Sequence, residues 1–167
     1  MLLWSLFFSV FAEPSKTVPK LGDVEVGKSF PTFGGNQSSG EYFSWPKTIG
    51  RQDLMIISYF ATDCGPCKKN LPTLEAFIQN NSNVNGAYIA IEKDSVKTNH
   101  FAESLKLKTP IIMDKFSVYA KKHGVIVEGE QPSIPKTFLI DKKGIVKAII
   151  VHEGEDLADF LKGFLPK

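Results

Sequence analysis

The chain has 167 residues, 43% of them hydrophobic and 23% charged, which suffices for one domain with a core, falls short of two, and excludes a disordered polymer. Twenty Lys and Arg against eighteen Asp and Glu leave a formal net charge of +2, too mild for a protein built to grip nucleic acid or an anionic membrane surface. No run of five like charges occurs, so there is no charged tail to interpret.

Leu2 to Ala12 reads LLWSLFFSVFA and contains no charge. Eleven such residues rise only about 16 Å as a helix, roughly half the hydrocarbon core of a bilayer. Residues 1–12 therefore read as a signal peptide or short hydrophobic leader and not as a full span, with Val10-Phe11-Ala12 as a small-x-small cleavage site before Glu13. The n-region lacks Lys and Arg, which leaves a short retained anchor as an alternative to cleavage. Residues 13–23 (EPSKTVPKLGD) are polar, carry two prolines and read as a linker. The folded domain is expected over residues 24–167.

Phe30-Pro31-Thr32-Phe33, the Gly- and Ser-rich Gly34 to Gly40, and Tyr42-Phe43-Ser44-Trp45 predict an N-terminal hairpin or pair of short edge strands. Leu54 to Phe60 (LMIISYF) is a short apolar run of strand formers, expected as a buried central strand. Cys64 to Asn80 carries Leu71, Leu74, Phe77 and Ile78 at helical spacing. Val84 to Ile91 is a further strand, Ser95 to Leu105, which carries Val96, Phe101 and Leu105, reads as a helix, and Pro110 to Met113 is a short strand. Phe116 to His123 predicts a short helix stopped by Gly124. Lys136 to Ile140 and Ile145 to Val151 are strands joined by the turn Asp141-Lys142-Lys143-Gly144. Glu155 to Leu165 closes the chain as a helix with Leu157, Phe160, Leu161 and Phe164 on one face. This alternation gives an α/β domain, a mixed central sheet with helices on both faces.

The two cysteines form Cys64-Gly65-Pro66-Cys67, after an apolar strand and at the opening of a helix. A helix N-terminus offers unpaired N–H groups and partial positive charge, both of which favour a thiolate. Pro66 costs little in the first turn, where its missing N–H had no intrahelical partner. Cys64 is then the outer, attacking thiol and Cys67 the shielded, resolving one. Zinc would need about four ligands, and His100, His123 and His152 have no ligand spacing. A purely structural disulfide would close too short a loop to stabilise much. Two unrelated buried cysteines would not need this strand–helix setting. Neither a metal nor another cofactor is expected.

The segments GKSFPTF (27–33), YFATDCGPCKKNLPTLEAF (59–77) and PSIPKTFLIDKKGIV (132–146), with the closing amphipathic helix, carry a resemblance over about residues 24–165. The chain resembles the thioredoxin superfamily, and more closely its exported TlpA/ResA-type branch, related to the redoxins of the AhpC/TSA group. The resemblance implies a thioredoxin-like three-layer α/β fold with an N-terminal β-hairpin extension. It implies that Cys64 is the nucleophile and Cys67 the resolving thiol, and that Pro135 is the cis proline opposite them; Pro132 is the weaker candidate for that place. It further implies that the backbone of Ile134 pairs with substrate peptide, and that Pro72 belongs to the architecture of the first helix.

There are departures from the family pattern. Asp63 stands where an aromatic is common; its carboxylate is expected to cap the helix while opposing thiolate formation at Cys64, with Lys68 and Lys69 pushing the other way. Ser58 occupies the place of the buried acid that assists proton transfer in thioredoxin, so a general base is either missing or supplied elsewhere, with Glu92 at the end of the next strand as a candidate substitute. The loop Glu128 to Gln131 looks longer than usual.

The leading expectation is a reductase of disulfides in exported proteins, located in the periplasm or another extracytoplasmic space. It would act on a disulfide-containing protein substrate, by resemblance an apocytochrome c awaiting haem attachment, and would be recharged by a membrane thiol electron donor. It would be a monomer without a nucleic-acid partner. Cys67 is followed by Lys68, so no haem-attachment motif exists. A thiol peroxidase would show Pro and Thr ahead of a lone Cys; Thr62 is present and the Pro is not. A non-catalytic binding module on the same fold is the third reading.

Overall fold

The architecture follows from one strand. In the computed structural model, which describes residues 24–45, 47, 52–151 and 157–165, the strand Leu54–Phe60 is buried along its whole length. The pleat sends Met55, Ile57 and Tyr59 to one side and Leu54, Ile56 and Phe60 to the other. A strand apolar on both faces needs cover on both. The leader and linker at residues 1–23, and Glu155 at the start of the closing helix, lie outside the described residues.

The elements in chain order are β1 (Phe33–Asn36), β2 (Tyr42–Trp45), β3 (Leu54–Phe60), α1 (Gly65–Asn80), β4 (Val84–Ala90), α2 (Ser95–Ser104), β5 (Ile111–Met113), α3 (Val118–Lys122), β6 (Lys136–Asp141), β7 (Val146–Val151) and α4 (Leu157–Lys162). The five-stranded sheet has the order β5-β4-β3-β6-β7. Strands β3, β4 and β5 run parallel, and β6 and β7 are antiparallel to their neighbours.

One face is covered by α1, α2 and α4. Leu71, Leu74, Phe77 and Ile78 of α1, Phe101 of α2, and Leu157 and Leu161 of α4 share a cluster with Ile56, Phe60 and Leu139. Phe101 stacks on Phe60 with ring centroids 5.2 Å apart. The other face is covered by the β1–β2 hairpin and α3. There Phe30, Phe33, Phe43, Trp45 and Ala120 pack on Met55, Ile57, Tyr59 and Phe138. The hairpin also lies on the edge of the sheet: Gln37 bridges Ile112, and Ser38 N–H donates to the Ile111 carbonyl at 2.8 Å. This pairs part of an edge that would otherwise be open to another chain.

Local chemistry explains the boundaries. Asp94 caps α2 by accepting from the N–H groups of Val96 (2.8 Å) and Lys97 (3.1 Å). Gly124 stops α3 at φ +64°, the left-handed position glycine fills without steric cost. In the β6–β7 turn, Asp141 Oδ1 accepts from Lys143 N–H and Ile145 N–H, and Gly144 takes φ +81°.

Val96, at the start of α2, is 63% exposed, and the buried side of that helix is Thr98 and Phe101. Two expectations are corrected. Phe116 lies outside α3, because Ser117 adopts a left-handed conformation (φ +56°) and the helix starts at Val118. Phe160 is half exposed and meets Phe164, while Leu157 and Leu161 alone carry the buried face of α4. Among the described residues no helix is long and apolar enough to cross a membrane.

Candidate active site

The parallel strands end level. Phe60 of β3 stands beside Ala90 of β4, which stands beside Met113 of β5. The antiparallel β6 begins at the same end, with Lys136 beside Tyr59. Four chain segments therefore leave one end of the sheet: 61–64, 91–94, 114–117 and the approach to β6 through Ile134 and Pro135.

The first of these carries the cysteine pair. Cys64 is the N-cap of α1, in extended conformation, and its Sγ accepts the backbone N–H of Cys67 at 3.2 Å. Pro66 stands in the first turn. Cys64 is partly exposed, whereas Cys67 is fully buried in the cluster beneath α1. The two are joined as a disulfide. An acceptor sulfur at a helix N-terminus is a sulfur whose negative charge would be stabilised by the amide it already faces. Gly65 is exposed with nothing within 4 Å of where a Cβ would stand, so space alone does not require glycine there.

The Ile134–Pro135 bond is cis. Pro135 is buried, and Ile134 is half-buried against both core clusters. Cys64 and Ile134 pack against the same α1-side cluster that contains Cys67. The fold thus brings Cys64, Cys67, Ile134 and Pro135, distant in sequence, to one end of the sheet. Asp63 is different: it is exposed, and the atom that caps α1 is the Cys64 sulfur. The capping role expected for Asp63 is taken by the residue after it, because the helix begins at Gly65.

Behind the pair there is no carboxylate at the position of Ser58. Ser58 is buried and accepts a hydrogen bond from Thr137 Oγ1 at 2.8 Å across the β3–β6 ladder. Glu92 is held otherwise than as a base. Its Oε2 accepts from Thr62 Oγ1 at 2.8 Å and Lys97 Nζ at 3.1 Å, and its Oε1 from Lys93 N–H at 3.1 Å. Burial alone would raise its pKa, but the Thr62 and Lys97 bonds and the Lys93 amide outweigh it and leave the carboxyl below its ordinary range. A carboxylate so well supplied with donors is a poor proton acceptor at neutral pH. Its bond to Thr62 tethers the 61–64 segment to the 91–94 segment.

Several polar residues of this region had no reading in the sequence. Lys136, directly after Pro135, is buried, and its Nζ donates to the Gly124 carbonyl at 2.7 Å. Burial lowers its pKa. Beside it, the Tyr59 hydroxyl and His123 Nδ1 are hydrogen-bonded at 2.6 Å. Burial and the nearby Lys122 push His123 down to about 3, and burial first, then the Asp114 carboxylate, push Tyr59 well up. Both are therefore neutral, and His123 Nε2 has no partner. One turn beyond Cys67, the Asn70 Nδ2 is also buried without one. Glu75, on the apolar side of α1, accepts from Tyr88 Oη (3.1 Å), Lys108 N–H (3.0 Å) and Thr109 N–H (3.4 Å). A lone polar residue on an apolar face was the available signal for Glu75 and for Lys136; their partners were not visible. Among the described residues no group of three or more His, Cys, Asp or Glu side chains is placed to hold a metal ion.

Comparison with known proteins agrees with this arrangement. The sequence profile of the AhpC/TSA family matches residues 26–149. The thiol-disulfide oxidoreductase ResA of Bacillus thuringiensis subsp. konkukian is 27% identical over 146 residues, covering 86% of this chain and 79% of its own length. In structure, a thiol:disulfide interchange protein of the thioredoxin family from Chlorobium tepidum superposes with a TM-score of 0.68 at 22% identity, over 84% of this chain and 97% of the other. A secreted Mycobacterium tuberculosis disulfide oxidoreductase superposes with a TM-score of 0.65 at 18% identity, over 79% of this chain and 92% of its own. The fold is thioredoxin-like, with the mixed sheet and N-terminal hairpin that the sequence implied.

Proposed function

The chain belongs to the AhpC/TSA family, and within it we propose a thiol–disulfide oxidoreductase that reduces disulfides of exported proteins through Cys64 and Cys67. The observation that carries the proposal is the partly exposed Cys64 at the N-terminus of α1, its sulfur facing the Cys67 amide and backed by a fully buried Cys67. In the dithiol form the Cys64 thiolate attacks one sulfur of a substrate disulfide. A Cys64–substrate bond forms, the substrate S–S bond breaks and one substrate thiolate leaves. Cys67 then gives up its proton and attacks Cys64, forming the Cys64–Cys67 disulfide and releasing the second thiolate. Two electrons pass from the protein to the substrate, and a membrane thiol donor restores the dithiol. Ile134 and Pro135 form the ledge along which the substrate backbone lies. Gly65 and Pro66 shape the small ring, and Asp63 sets the charge beside it.

Export is supported by the apolar leader and by the description of the Mycobacterium tuberculosis neighbour as secreted. An apocytochrome c is the substrate that the TlpA/ResA resemblance suggests. The alternative, a thiol peroxidase of the redoxin group, rests on the GKSFPTF opening, and consumption of peroxide without any added protein disulfide would favour it over the reductase.

The test is the reduction potential of the Cys64–Cys67 couple, measured by equilibration in thiol buffers of known poise. A value at or below about −220 mV is expected of a reductant with a dedicated electron source. A value near about −120 mV would make the protein an oxidant of folding chains and overturn the direction proposed.

A further inference from the structure

The Ile134–Pro135 turn is flanked on both sides by bonds to one distant stretch of backbone. Lys136, which follows it, is 1% exposed, and its Nζ donates to the Gly124 carbonyl at 2.7 Å. Ser133, which precedes it, donates its N–H to the carbonyl of the adjoining Val125 at 2.8 Å. Chain and hydrogen bonds therefore close a ring through Ser133, Ile134, Pro135, Lys136, Gly124 and Val125. The ring is held from outside. Lys136 pairs with Tyr59 of β3 and Val151 of β7. On the opposite side, the Ala120 carbonyl accepts from Val125 N–H at 2.8 Å and from Ile126 N–H at 3.1 Å, and Ala120 N–H donates to Asp114 Oδ2 at 2.7 Å. A path of bonds thus runs from the end of β5 through α3 to the turn. Residues 127–132, which separate the two stretches, are all exposed, so burial of that loop does not set where Ile134 stands.

Lysine is a costly residue for this place. A buried ammonium gives up its hydration, and burial lowers the pKa of this one. A Met side chain would fill much of the same volume without that cost, so the use of Lys136 lies in what its Nζ holds. Gly124 is itself buried. Without Nζ its carbonyl loses this donor and turns to find another, and the adjoining Val125 carbonyl, with Ser133 bonded to it, moves too. On the reading that Cys64 and Cys67 reduce protein disulfides and that Ile134 and Pro135 are the ledge for the substrate backbone, we infer that Lys136 is a positioning residue for that reaction. Through Gly124 and Val125, its Nζ sets the place of the Ile134 backbone along which the substrate lies. By the alternation of β6, its side chain shares the face of Phe138 and Ile140, whereas Cys67 lies in the cluster on the other face. Lys136 therefore acts on substrate binding and leaves the sulfur chemistry to the cysteines.

The experiment follows single turnovers of the full chain in its dithiol form against rising concentrations of a peptide disulfide. Hydroxyethyl disulfide, which has no peptide backbone, is the second substrate. Lys136→Met is expected to raise the half-saturating peptide concentration about tenfold, the scale of one lost hydrogen bond to the substrate. The limiting rate should change by less than about twofold, the signature of lost binding without lost chemistry. In the same variant the Ser133 amide should exchange its hydrogen about tenfold faster, while the Ile57 amide in the central strand keeps its rate. An unchanged half-saturating concentration in folded Lys136→Met would overturn the positioning role alone. So would a fall in the limiting rate together with faster exchange at Ile57, which marks a general loosening of the fold. If Lys136→Met does not fold, Ser133→Pro takes its place. It removes the other bond of the ring while Lys136 stays, and it too should raise the half-saturating concentration; no change there would overturn the inference. Native protein that reduces neither substrate would overturn the functional reading and the positioning role with it.

Discussion

Cys64 and Cys67 differ in the property that decides their order of attack. One sulfur is partly exposed and hydrogen-bonded at a helix terminus, and the other is enclosed by the cluster under α1. Cys64→Ser is expected to abolish reduction of a disulfide substrate. Cys67→Ser is expected to leave the first step and accumulate a mixed disulfide, visible on a non-reducing gel and discharged by added thiol. Accumulation in the Cys64→Ser variant instead would reverse the roles. On the other side of the sheet, His123 is neutral and buried, with a pKa held at about 3 by burial first and Lys122 second. The unfolded histidine titrates near about 6.5. The folded value is the lower one, so the unfolded chain binds the extra proton and acid favours unfolding. The neutral ring's contribution is complete above about pH 6.5 and is lost as pH falls towards 3. That amounts to about 2 kcal/mol by pH 5. A Tyr59→Phe, His123→Phe double variant, which removes both hydrogen-bonding partners together, should show a flatter dependence of urea midpoint on pH over this window. Lys136, with its pKa lowered by burial, acts at the alkaline end. The unfolded chain holds its proton to higher pH, so stability should rise as pH climbs towards 10, and Lys136→Met should lose that rise.

At the scale of the element, the termini and single polar residues decide where helices sit. Asp94 accepts two amides at the start of α2, and Asp94→Ala should cost about 1 kcal/mol in urea denaturation. Asp63 accepts none at the start of α1, where Cys64 is the cap, so Asp63→Ala should change stability by less than about 0.5 kcal/mol. A matching loss in both variants would show that the aspartate at 63 does cap. Glu75 ties α1 to the segment before β5 through Lys108 and Thr109 and to β4 through Tyr88. Glu75→Leu would strand buried donors and should cost roughly 2–4 kcal/mol, despite placing an apolar residue on an apolar face. Helix α3 is the short element whose start could not be read from pattern: Phe116 fits a helical stripe, yet Ser117 turns the chain before the helix begins.

At the scale of the molecule, the sheet is closed by covers of different kinds, three helices on one face and a hairpin with a short helix on the other. Phe33 and Trp45 stack within the hairpin and face Phe30 and His123. Trp45→Ala is therefore expected to cost about 3–5 kcal/mol in urea unfolding. Redox activity should survive at low urea, since the cysteines lie on the far face. Loss of activity without loss of stability would mean that the hairpin shapes the site.

The strand–helix order, the turn at Asp141–Gly144, the stop at Gly124 and the cysteine pair were legible in the sequence. Each is written in residues close along the chain: an apolar period, a glycine with positive φ, two thiols opening a helix. The family resemblance extended that reading to Pro135, seventy residues away. Tertiary structure alone decided that Ser58 is paired with Thr137, that Glu92 is held by Thr62 and Lys97, that His123 meets Tyr59, and that Phe116 is exposed. Those facts depend on sheet order and register, which place residues from four segments at one end of the molecule. No local pattern encodes them, because the partner of a buried polar group, or the exposure of an apolar one, is set by which distant segment packs against it.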